Sequence, residues 1–120
     1  MSIKNVLHNR KMIVVTDYRG LKGAEQIKTL EQLAQIAKMS PTSVPFLSNF
    51  EGANIGPEYV NRVKALGRGH QTNTNRQALL GIKGLKNLLL KSYIALTGAK
   101  EIKAFDTETE AMDWLASGLS

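Results

Sequence analysis

A chain of 120 residues with a formal charge of +6, 42% apolar residues and no cysteine is large enough for one packed domain without metal or disulfide support. The absent thiol excludes disulfides, cysteine-ligated metal and thiol catalysis. No apolar run reaches the roughly twenty residues that span a bilayer. The start Met1-Ser2-Ile3-Lys4-Asn5 lacks a basic-then-apolar leader pattern, so a cytoplasmic protein without a transmembrane segment is expected.

Ile3 to Leu7 is too short to assign and reads equally as a helical turn or an edge strand. Asn9-Arg10-Lys11 reads as a turn. Met12-Ile13-Val14-Val15 is a continuous apolar run of the kind buried on both faces of a parallel sheet, ending in the polar Thr16-Asp17-Tyr18-Arg19-Gly20. A first helix is predicted from about Gly23 to Met39, with Ile27, Leu30, Leu33, Ala34 and Ala37 as its apolar face and Ser40-Pro41 as its stop. Val44-Pro45-Phe46-Leu47 is the second main strand. Pro45 cannot donate to a ladder, which places this strand at an edge or Pro45 at its start. Pro57 opens a second helix carrying Tyr59, Val60, Val63 and Leu66, and Gly67 to His70 closes it ahead of a polar connector from Gln71 to Asn75. Ala78 to Ile82 is the third main strand, and Gly84 opens a third helix that ends at Thr97-Gly98. Ile102 to Phe105 is the fourth. After it Thr107, with Glu110 three residues on, forms a capping box for a last helix that turns Ala111, Trp114 and Leu115 inward. Four strand-to-helix units imply one α/β domain over residues 1–120 with a largely parallel sheet.

Catalytic signatures are missing: there is no phosphate loop, no nucleophile elbow and no metal-spaced histidine pair. His8 and His70 sit beside turn residues and read as solvated loop histidines. Between Tyr59 and Lys100 there are eight cations and no acid, which fits either an anion-facing surface or a merely solvated one. Asp17, at a strand's carboxyl end, lies where open parallel sheets gather ligands, or else it caps its own turn and pairs with Arg19. Gly81-Ile82-Lys83-Gly84-Leu85-Lys86 is an anion-binding candidate at a helix start, or a tight turn that needs glycine. The seven aromatics are dispersed, so nucleic acid is not the expected partner.

Met12 to Leu21, Val44 to Asn49, Leu80 to Lys86 and Phe105-Asp106-Thr107-Glu108 resemble the small bacterial STAS-like proteins, relatives of the sporulation anti-sigma-factor antagonist that share topology with the CRAL-TRIO lipid-binding domain. The resemblance covers nearly the whole chain. It implies a four-stranded sheet in the order 2-1-3-4, flanked by about four helices, with Asp17-Tyr18-Arg19 and Lys83-Gly84 side by side. In anti-sigma antagonists a phosphorylatable serine begins the second helix. The matching stretch here, Asn54-Ile55-Gly56-Pro57, holds neither Ser nor Thr, and Ser48 upstream is a poor substitute.

The expected function is that of a non-catalytic, cofactor-free interaction or regulatory module. Asp17, Tyr18, Arg19, Asn54, Lys83, Gly84 and Lys86 are its candidate contact residues for a protein partner or a small anionic ligand. A small-ligand or lipid-binding domain is the alternative, and an enzyme with an unfamiliar site the second. A homodimer is open to so small a domain.

Overall fold

The β-branched run Ile13-Val14-Val15 forms the middle of strand β2 (Lys11–Asp17), where four successive residues, Ile13 to Thr16, are buried. Unbroken burial requires a sheet packed on both faces. A computed structural model describes residues 2–39, 44–69, 76–82 and 102–117, with the side chains of 37, 64 and 66–69 left aside. Within them β1 (Ile3–His8), β2, β3 (Phe46–Asn49), β4 (Gln77–Leu80) and β5 (Ile102–Phe105) form one sheet in sequential order. Helix α1 (Ala24–Met39) joins β2 to β3, α2 (Pro57–Gly69) joins β3 to β4, and α3 (Glu108–Ala116) follows β5.

The expected order 2-1-3-4 of four strands is corrected in two respects. The segment left open at the start is an edge strand, β1, antiparallel to β2 and in register from Ile3↔Thr16 to His8↔Lys11. Asn9 and Arg10, with φ of 48° and 68°, make the two-residue turn between them. The strand that this order puts at an edge lies in the middle, paired parallel to β2 on one side and β4 on the other, and of the two placements open to Pro45 the one at the strand's start is found. Pro45 precedes the strand, and its carbonyl accepts from the Val14 amide at 3.1 Å, so the ladder never needs the amide that proline lacks. Three helices stand among the described residues, and the helix predicted from Gly84 lies outside them.

Strand alternation divides the interior into two layers. On one face Ile13, Val15, Leu47, Ala78 and Leu80 pack against Ala111, Met112 and Leu115 of α3, with Val6, Phe105 and Trp114 at the margin. On the other, Tyr18, Phe50 and Leu79 meet Leu30 of α1 and Tyr59 of α2. The most buried residues of α1 are Gln26, Thr29 and Leu30, so the helix presents a partly polar face to the sheet.

The start of α3 matches its expected cap. Thr107 has extended backbone (φ −128°, ψ 152°), and its Oγ1 accepts from the Glu110 amide at 3.2 Å and donates to the Glu110 carboxylate at 2.9 Å. Replacing Thr107 with alanine should cost about 1 kcal/mol in denaturant unfolding, and serine should restore most of it. At the other end of α3, Arg76 lies 4.4 Å over the Trp114 ring and donates to the Trp114 carbonyl at 3.0 Å. His8, expected to be solvated in a loop, is the last residue of β1, and its Nε2 meets Asp113 Oδ1 at 2.8 Å.

Candidate partner-binding edge

The parallel strands end together at Asp17, Asn49, Leu80 and Phe105, which are register neighbours along one edge of the sheet. The ladder continues for one more residue: the Tyr18 amide donates to Asn49 at 2.9 Å, and the Phe50 amide to Leu80 at 2.8 Å. Beyond this the chains diverge, as they must before entering helices on the sheet's face.

Tyr18 and Phe50 turn inward and stack with centroids 4.7 Å apart and ring planes 4° from parallel, while Tyr59 meets both edge-on at 5.5 and 5.9 Å. This aromatic cluster seals the interior just below the edge. Tyr18 is fully buried, and its hydroxyl has no hydrogen-bond partner among the described residues. Burial pushes its pKa up to about 12, with the nearby Tyr59 hydroxyl acting the other way.

Asp17 and Arg19 close on one another. The Asp17 carboxylate accepts from Arg19 Nε at 2.9 Å, Nη2 at 2.8 Å and the Arg19 amide at 3.0 Å. The Arg19 bond holds the Asp17 carboxyl below its ordinary value of 3.8, against some desolvation that raises it. A depressed carboxyl contributes its stability above the ordinary value, so the pair weakens only as pH falls below that value. Arg19 also feels Glu108 and Glu51, and its own pKa is raised chiefly by Asp17. Its positive charge is thus already paired with Asp17, with weaker attraction from Glu108 and Glu51.

Asn54 is exposed on the loop into α2, and its carbonyl accepts from Gln26 Nε2 at 2.8 Å. The same amide group donates to the Leu21 carbonyl at 3.1 Å, so one buried side chain ties the loop after β2 to the loop after β3. Gly81 turns the chain out of β4 with φ 78° and presses against the backbone of Phe50 and Glu51. Lys83, Gly84 and Lys86 lie outside the described residues. The side-by-side placement of Asp17-Tyr18-Arg19 and Lys83-Gly84 required β2 and β4 to be neighbours. With β3 between them those strand ends are two spacings apart, about 10 Å. Of the other cations in the acid-free stretch, Arg62 pairs with Glu31 of α1 at 2.7 Å and Arg76 is held on α3.

Gln26 and Gly81 carry more of this edge than local sequence assigns them. The signal for Gln26 is its spacing: it stands four residues before Leu30, on the apolar stripe of α1, where a polar side chain needs a buried partner. Local sequence places Gly81 only in a candidate anion site or tight turn, because a backbone contact thirty positions away leaves no trace there.

The arrangement defines an α/β domain with a STAS-like fold. The chain is similar to the solved structure of an anti-sigma-factor antagonist (STAS) domain protein from Planctomyces limnophilus, with a TM-score of 0.56 at 14% identity, over 96% of this chain and 98% of that one. At that identity the likeness is one of fold. No family model matches the chain, and no curated protein matches it. No group of residues suited to a metal ion occurs among the described residues, and no helix among them is long and apolar enough to cross a membrane.

Proposed function

We propose that the protein is a non-catalytic regulatory module that binds another protein through the carboxyl edge of its sheet, using the Asp17–Lys22 loop, the Glu51–Gly56 loop and the first turn of α2. The observation that carries this reading is the construction of that edge. The aromatic cluster fills the space where a small ligand would enter, while the loops above it are exposed and held in fixed relation by Gln26. The fold neighbour, an anti-sigma-factor antagonist domain protein, supports a regulatory role. Pro57 is the first residue of α2 and Asn54, Ile55 and Gly56 precede it, so the helix start has no serine or threonine to receive phosphate. This departure counts against a copy of the phosphoswitch that anti-sigma antagonists carry at that helix start.

Arg19 and Asn54 supply polar contacts on this reading, and Asp17 orients Arg19; Lys83, Gly84 and Lys86 would extend the same edge beyond the described residues. An anionic ligand is the weaker reading, because Arg19 is already paired with Asp17 at 2.8 Å. The test is affinity capture from the native host's lysate with wild type and an Arg19→Ala/Asn54→Ala pair. A protein retained by wild type and lost from the pair is expected. Equal retention by both would overturn the placement of the site, and retention of no protein would overturn the function.

A further inference from the structure

Opposite the candidate site, the amino-terminal end of the sheet has a different character. The exposed large apolar residues among those described are Leu7, Met12 and Met39, with relative exposures of 66%, 49% and 78%. Leu7 and Met12 pair across β1 and β2 beside the Asn9–Arg10 turn. By alternation from Val6 and Ile13, which pack toward α3, both point to the α1 face. Met39 is the last residue of α1, which runs from the carboxyl edge back to the start of β3. Topology thus brings all three to one end of the domain.

Charge is partitioned along the same axis. At the carboxyl edge stand Asp17, Glu25, Glu51, Glu58, Asp106, Glu108 and Glu110 against Lys4, Arg19 and Lys22. At the amino-terminal end stand Arg10, Lys11, Lys38 and Arg76, and the described acid there, Asp113, is engaged by His8. The sequences of 40–43 and 70–75 add no acid, while Glu101, which precedes β5, lies outside the described residues. Separate apolar side chains at a hairpin tip and a helix end, among cations and on the pole away from the acids, are complementary to an anionic surface with an apolar layer beneath it. Neither a flexible thioether nor a leucine offers stacking to a nucleic acid.

We propose that the Leu7–Met12–Met39 end is a peripheral docking surface for an anionic lipid membrane, with Arg10 and Lys38 facing the head groups and the three apolar side chains entering the interface. Lipid docking would leave the acidic carboxyl edge facing away from the membrane, open to a protein. The surface is distinct from the candidate protein-binding edge, so either can fail alone. Attraction of this kind is worth about fivefold in affinity per basic residue near the surface and fades with salt.

Vesicle co-sedimentation at low salt decides it, using phosphatidylcholine vesicles with and without an equal part of phosphatidylserine. Wild type should sediment with the mixed vesicles, remain free of the neutral ones, and dissociate as salt is raised. Leu7→Gln/Met39→Gln should lose about tenfold in affinity, and Arg10→Glu should lose tenfold or more. Lys28→Glu, the same charge change in the half of α1 nearer the other pole, should lose much less. Unchanged melting by circular dichroism shows that each variant is folded. Failure of wild type to bind mixed vesicles overturns the proposal. Equal losses for Arg10→Glu and Lys28→Glu, or no loss in the apolar pair, reduce the effect to net charge and overturn it too. Retention on immobilised polyglutamate without vesicle binding assigns the surface to an acidic protein instead.

Discussion

Gly81→Ala should destabilise the protein by about 3 kcal/mol or more, the largest effect expected of a methyl group added at any of the described glycines. Two separate costs combine there. The residue has φ 78°, a conformation that strains any L side chain, and a Cβ would meet Glu51 Cα and the Phe50 carbonyl carbon at 2.7 Å. Backbone atoms of a neighbouring loop cannot swing aside as a side-chain tip can. Gly52 separates the two terms: its φ is 68°, but nothing lies within 4 Å of its Cβ position, so Gly52→Ala should cost only about 1 kcal/mol. Denaturant unfolding of both variants measures the difference. The loop that Gly81 braces carries Glu51 and leads to Asn54, so the variant's remaining folded fraction should also bind a partner more weakly.

Tyr18 offers the second large effect and a contrast in sign. Tyr18→Ala removes a fully buried ring that contacts both Phe50 and Tyr59, and should cost about 4 kcal/mol. Tyr18→Phe keeps the ring and removes a buried hydroxyl whose approach to the Tyr59 hydroxyl falls short of hydrogen-bond geometry. Losing an unsatisfied polar group relieves its desolvation, so this variant should match wild type or exceed it by up to about 1 kcal/mol. A raised phenol pKa favours folding below pH 10 and withdraws that support as pH climbs from 10 toward about 12. Wild type should therefore lose about 3 kcal/mol across that window from this group alone. Tyr18→Phe should lose correspondingly less, and its alkaline unfolding should release one fewer tyrosinate by ultraviolet absorbance.

Elements whose cause is local were legible in the chain. Thr107 and Glu110 announced the start of α3 because a capping box is a contact between residues three apart, and Pro57 marked the first turn of α2 for a similar reason. The buried run in β2 showed because packing on both faces removes polar alternation. Strand order was not legible. Pro45 was compatible with two placements, and only the register of Val14 against Phe46 shows that it stands outside the ladder. Half of the candidate site shared that difficulty. The Asp17–Arg19 pair spans two residues and could be anticipated, whereas the clasp of Gln26 on Leu21 and Asn54 depends on how two loops meet. For the stretch from Tyr59 to Lys100 the sequence leaves open whether its cations face an anion or only solvent, because partners such as Glu31 for Arg62 and the end of α3 for Arg76 lie far away in the chain.

Photo-crosslinking from the loop before α2 tests the central claim most directly. A benzophenone amino acid replaces Asn54 in one variant and Lys103, on the exposed side of β5, in another, and both are irradiated in lysate of the native host. Crosslinking of a single discrete protein from position 54, competed away by unlabelled wild type and absent from position 103, is the predicted result. Adducts of equal yield from the two positions, or none that wild type displaces, would contradict the assignment of the carboxyl edge as a protein-binding surface.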